Sequence, residues 1–75
     1  MIEIYKDHEI KIAAMEMNSG WWRTNIGILW TDSGKWIYRP CTIKGAFKTD
    51  QLAIEYALAL VKKWIDDGRP LVTGS

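Results

Sequence analysis

The chain has 75 residues, 48% of them hydrophobic and 25% charged, with a formal net charge of +1. That balance excludes intrinsic disorder, which requires low hydropathy and high net charge, and the length confines the fold to one small domain that buries about 60–65% of its unfolded surface. No apolar run reaches the ~18 residues of a membrane span, the opening MIEIYKDHEI lacks the charged leader and apolar run of a signal peptide, and the single cysteine, Cys41, points to a reducing compartment; a soluble cytoplasmic protein is the expectation.

Ile2–Tyr5 reads as a short strand ended by the polar turn Lys6-Asp7-His8. From Glu9 the chain alternates, with Ile10, Ile12 and Ala14 on one side and Glu9, Lys11 and Ala13 on the other, the period of a half-buried strand. Asn18-Ser19-Gly20 has the residues of a tight turn. A strand over Trp21–Thr31 follows, with Trp22, Thr24, Ile26, Ile28 and Trp30 on one face and Trp21, Arg23, Asn25, Gly27 and Leu29 on the other. Asp32-Ser33-Gly34 closes the next hairpin. Lys35–Arg39 begins a further strand, in which Pro40 marks an end, a bulge or an edge, and Cys41–Ile43 continues it beyond that irregularity.

The segment from Phe47 to Pro70 predicts one amphipathic helix. Thr49 has the chemistry of an N-cap, and Asp50 suits the positive end of the helix dipole. Ala53, Tyr56, Ala57, Leu60, Val61 and Trp64 recur at helical spacing as the buried stripe, widened on one flank by Ile54, Leu58 and Ile65. Gly68 fits the first position beyond the helix, and Pro70 prevents continuation. The expected fold is therefore α+β: an antiparallel three- to four-stranded β-meander over residues 1–70, then one C-terminal amphipathic helix packed on one sheet face, with 71–75 a frayed tail. A single helix covers a single face. The opposite face is left for solvent, a second copy or a ligand.

The Phe47-Lys48-Thr49 start and the Lys63-Trp64-Ile65-Asp66 end of the helix, with Tyr5–Ile10 (YKDHEI) and the Trp22 strand, resemble a group of small bacterial domains of unknown function that share a β-meander and a C-terminal helix. The resemblance rests on a cap, a core stripe and a helix end, and it implies a fold without an activity. A weaker topological similarity links the pattern to DNA-binding domains that read DNA with a three-stranded sheet, such as plant AP2-type and integrase arm-binding domains. Arg23, Lys35 and Arg39 stand in comparable strands, with fewer arginines than such domains carry.

Chemistry-bearing residues are sparse. His8 stands in a turn beside Asp7 and Glu9 with no further ligand set for a metal, so a structural or solvated histidine is the expectation. Cys41 has no local activating group, and its expected role is that of a small buried hydrophobe. Asp66 and Asp67 are neighbours on a helix, about 100° apart, so they do not form a carboxylate pair; solvated helix-end charge is the expectation. No glycine pattern forms a phosphate loop. Residues 17–49 carry Arg23, Lys35, Arg39, Lys44 and Lys48 against Asp32 alone, a net +4, together with four of the five tryptophans. The expected function is accordingly a non-enzymatic interaction module without cofactor, metal or membrane contact. It binds a protein partner or a second copy through an exposed sheet face formed by Met15, Met17, Trp21, Arg23, Leu29, Lys35 and Arg39. The alternative is weak nucleic-acid binding by the same basic aromatic residues, in the manner of stacking platforms.

Overall fold

A computed structural model describes residues 1–69, with residue 44 described in its backbone only. The expected stop at Pro70 and the tail 71–75 lie outside the described residues. Four strands, β1 (Ile2–Tyr5), β2 (His8–Glu16), β3 (Trp22–Asp32) and β4 (Lys35–Phe47), precede one helix, α1 (Asp50–Asp66). The strands form one antiparallel sheet in the order β1-β2-β3-β4, each pairing with its sequence neighbour.

The hairpins follow local chemistry. Tyr5 pairs with His8 across Lys6-Asp7, and both turn residues have positive φ, 46° and 65°, as a two-residue hairpin of the right twist requires. In the second hairpin the Gly20 N–H donates to the Met17 carbonyl at 2.9 Å and the Met17 N–H to the Trp21 carbonyl at 2.7 Å. Gly20 has a φ of 84°, giving a turn closed by a glycine bulge. The third hairpin joins Asp32 to Lys35 through Ser33-Gly34, again with positive φ at both positions.

β4 is longer than expected. It runs unbroken through Pro40 because of hydrogen-bond parity. Counting from the Asp32–Lys35 pair that closes the hairpin, alternate pairs exchange hydrogen bonds, and Gly27–Pro40 falls on a pair that does not. The missing proline N–H points away from β3, where an edge strand tolerates it. Further along, Trp22 faces Phe47 while Thr24 faces Ile43, so β4 bulges around Gly45, whose φ is 139°.

Thr49 caps the helix as expected, its Oγ1 accepting the Leu52 N–H at 3.1 Å. At the other end Gly68, with a φ of 88°, donates to the Ile65 carbonyl and Arg69 donates to the Trp64 carbonyl, the paired bonds of a Schellman motif. The core lies between α1 and one sheet face: Ile10, Ile12, Ile26, Ile28 and Trp30 meet Ala53, Ala57, Val61 and Ile65. Each large aliphatic side chain so buried contributes roughly 1.5–3 kcal/mol.

The helix stripe is rotated from its expected position. The buried line is Ala53-Ala57-Val61-Ile65, whereas Tyr56 and Leu60 stay exposed at 48% and 39%. Two effects turn the helix. Ala53 and Ala57 are fully covered and let the helix backbone approach the sheet closely. On the β1 side, Lys62 bonds Glu3 at 2.6 Å, and Tyr5 donates to both carboxylate oxygens of Asp66 at 2.9 Å. The helix lies mainly over β2 and β3, with Tyr56 and Leu60 on its β4 flank. Asp66 also accepts from Lys6, so it is a tie between helix and first hairpin rather than a solvated charge.

Candidate functional site

Register decides which side chains share the uncovered sheet face. Ile2 and Ile4 pair with Lys11 and Glu9; Glu9, Lys11, Ala13 and Met15 pair with Leu29, Gly27, Asn25 and Arg23; Leu29, Gly27 and Asn25 pair with Tyr38, Pro40 and Thr42, and Thr31 with Trp36. Directly opposed residues point to the same side of a sheet, so all of these lie on the face away from α1. Ile2, Ile4, Trp36 and Tyr38 are 64%, 72%, 71% and 61% exposed. Exposed apolar side chains gathered on one face mark interaction sites in small proteins.

The face is shaped as two apolar ridges with a hollow between them. Ile2 and Ile4 form the ridge on β1, and Trp36 and Tyr38 that on β4. The hollow, of about 480 Å³, is floored by Ala13, Asn25 and Gly27 and flanked by Lys11 and Tyr38. Gly27 makes room for the ring in this position: a Cβ would stand 2.6 Å from the Tyr38 Oη and 2.9 Å from its Cε1. The tyrosine ring thus lies across the glycine, an aromatic side chain covering a bare backbone position in a strand. Charge on the face is sparse and mixed, with Lys11 3.8 Å from Glu9 and Arg23 exposed beside Met15.

The sequence-expected surface is brought together only in part. Met15, Arg23 and Leu29 share the uncovered face, where Met15 Sδ accepts from Asn25 Nδ2 at 3.5 Å. Met17 is half-buried and Trp21 exposed, both in the second hairpin loop ahead of β3. Lys35 and Arg39 stand on the opposite side. They alternate with Trp36 and Tyr38 and share the helix side with Ile37, and the Arg39 guanidinium lies 5.7 Å from the centre of the Trp64 ring. The basic residues of the middle segment therefore do not form one stripe. Ile2, Ile4, Trp36 and Tyr38 were missed by sequence reasoning. Alternation separates Trp36 and Tyr38 from Ile37 but assigns neither set to a side, and in β1 the isoleucines resemble core residues. Register settles it: Glu3 and Tyr5 pair with the buried Ile10 and His8, so Ile2 and Ile4 face outward.

His8 and Cys41 also differ from expectation. His8 is only 8% exposed, the first residue of β2 rather than part of a turn. Its Nδ1 lies 2.8 Å from the Lys6 carbonyl oxygen; a carbonyl only accepts, so Nδ1 carries the proton. Nε2 then accepts from Arg69 Nη1 at 3.4 Å. The ring packs 5.3 Å from Trp30, and Arg69 lies 5.1 Å over the same indole, so this histidine joins the first hairpin to the helix end. Cys41 is exposed rather than buried, because the rotated helix leaves the β4 side of the core uncovered. The Lys6–Asp66 contact perturbs both groups: the hydrogen bond Lys6 donates to Asp66 raises the Lys6 pKa, and the Lys6 and Tyr5 hydrogen bonds hold the Asp66 carboxyl below its ordinary value. Among the described residues no three His, Cys, Asp or Glu side chains converge as metal ligands, and no helix is long and apolar enough to cross a membrane. Comparison with protein-family models, curated proteins and solved structures finds no match to this chain.

Proposed function

We propose that this chain is a non-enzymatic interaction module that binds a protein partner or a second copy of itself through the sheet face opposite α1. The observation that carries the reading is the set of four large apolar side chains, Ile2, Ile4, Trp36 and Tyr38, each more than 60% exposed on that one face. The two edge ridges are hydrocarbon and aromatic, the chemistry of contact rather than of bond making. Its size also suits the role: four strands about 4.8 Å apart and roughly nine residues long cover on the order of 600 Å², close to the ~800 Å² per partner of a standard interface. The nucleic-acid alternative has less support, because Lys35 and Arg39 lie on the helix side and Lys11 stands beside Glu9.

The test combines multi-angle light scattering over a wide concentration range with pull-down by the immobilised domain, each repeated on Ile4→Ser and Trp36→Ser. Both sites are exposed, so the fold tolerates the changes. Self-association or partner capture that both variants abolish supports the reading. A monomer at every concentration whose captured proteins are unchanged by either variant refutes it. Titration with single- and double-stranded oligonucleotides at low salt tests the alternative, whose affinity must fall steeply as salt rises.

A further inference from the structure

A second surface, distinct from the uncovered sheet face, lies along β4. In the strand order β4 is an edge, 13 residues long, and among the described residues no strand pairs with its outer side. By the alternation that places Pro40 on a non-exchanging pair, the main-chain groups of Trp36, Tyr38 and Thr42 point outward, as does the Pro40 carbonyl. On the helix side of this edge the rotated helix leaves a groove of about 280 Å³. Its walls are Arg39, Cys41 and Ile43 from β4 and Leu60 and Trp64 from α1. Tyr56 extends the same helix flank, in contact with Phe47 at a ring distance of 5.1 Å.

The charge along this edge is one-sided. Residues 35–49 contain no Asp or Glu. Among the described residues, ion pairs form at Lys6, Lys11, Lys62 and Lys63, and none at Lys35, Arg39 or Lys48. The β1 side of the molecule has its charges matched, by Glu3–Lys62 and Lys6–Asp66, whereas along β4 the one carboxylate nearby among the described residues is Asp32, across the hairpin from Lys35, and Arg39 and Lys48 have none in an ion pair. Two copies of β4 placed edge to edge would bring like charges together and meet a missing donor at each Pro40, the devices by which edge strands resist self-pairing. A carboxylate-bearing partner meets no such repulsion.

We propose that the open edge of β4, together with the groove between β4 and α1, receives an extended apolar peptide segment of another protein as a fifth strand, with its carboxylates at the Lys35–Arg39 end. Main-chain hydrogen bonds to Trp36, Tyr38 and Thr42 hold the segment. Alternate apolar side chains enter the groove beside Cys41, Ile43 and Leu60, and Lys35 and Arg39 set its direction. This is strand addition, in which backbone bonds supply affinity and pockets for alternate side chains supply specificity.

The probe is a short peptide of Val and Thr carrying two Glu at one end, with a counterpart carrying two Lys. Fluorescence anisotropy with the full chain at low salt is expected to give saturable binding for the Glu peptide and at least tenfold weaker binding for the Lys peptide. Lys35→Glu weakens the Glu peptide roughly tenfold, and Arg39→Glu does the same in a second background, folding being checked by circular dichroism. Ile4→Ser, on the far strand, leaves binding unchanged, which separates this surface from the one under Proposed function. Bound peptide slows hydrogen exchange of the Trp36, Tyr38 and Thr42 amides and slows maleimide modification of Cys41. The proposal is overturned if the Glu peptide fails to saturate, if the Lys peptide binds equally well, or if Ile4→Ser abolishes binding while Lys35→Glu does not. It is equally overturned if the β4 amides become protected with rising protein concentration alone, which would assign the edge to a second copy.

Discussion

Thr24→Val is the sharpest test of how this core is built. Thr24 sits in β3 on the helix side, fully buried, and its Oγ1 has no hydrogen-bond partner. Burying a hydroxyl without a partner costs about 1–3 kcal/mol on protein mutational scales. Valine has the same branched outline and equal strand preference, so it removes that cost without opening a cavity. The expected gain is about 1 kcal/mol, which for a domain of this size raises Tm by roughly 4–8 °C. Thr24→Ser is the control. It keeps the hydroxyl, deletes a buried methyl and should lose about 1 kcal/mol. Thermal and urea unfolding of the three proteins decide the matter. If Thr24→Val is less stable than the parent, the hydroxyl is satisfied in solution and the reasoning fails. Because the change lies beneath the helix, a stabilised Thr24→Val protein also provides a background for the surface variants proposed above.

Three further outcomes are expected. Gly27→Ala forces the Tyr38 ring, whose Oη would lie 2.6 Å from the new Cβ, to swing aside. The ring is the exposed end of a rotatable side chain, so stability stays within about 1 kcal/mol while the hollow narrows; unfolding together with the Tyr38 ring resonances checks both halves, and a loss above 2 kcal/mol contradicts it. Asp66→Asn removes the tie to Lys6 and Tyr5. The Asp66 carboxyl is held below its ordinary value, so its stabilisation is present above about pH 4 and lost as pH falls through the lower folded value. The Lys6 value is raised above 10.5, so its share is present below that pH and lost on rising through the folded value. The gap between parent and Asp66→Asn should therefore hold across neutral pH, close at both extremes and shrink with salt, as measured by urea midpoints; a gap that persists at pH 2 refutes the pairing. Gly68→Ala places a Cβ in a left-handed position, φ 88°, and should cost about 1 kcal/mol by raising the Schellman motif's strain, read from thermal unfolding.

Much of this protein can be read from its residues alone. The alternation of Ile10, Ile12, Ile26, Ile28 and Trp30, the glycine-bearing turns, the Thr49 cap and the Gly68 stop are local chemistry. Each follows from a few neighbouring residues, and together they specify a meander followed by a helix. What local chemistry leaves open is orientation. A period of two separates Trp36 and Tyr38 from Ile37 without saying which set meets the helix, and helical spacing allows several adjacent stripes, of which Ala53-Ala57-Val61-Ile65 is only one. Those choices were settled by contacts between distant residues. Glu3 meets Lys62 and Tyr5 meets Asp66 on the helix side of β1, which leaves Ile2 and Ile4 outward, while the helix, seated over β2 and β3, leaves Cys41 and Leu60 exposed beside β4. Such pairs are separated by about sixty positions and carry no periodic signal, so the surfaces available for binding appear only once the chain is folded.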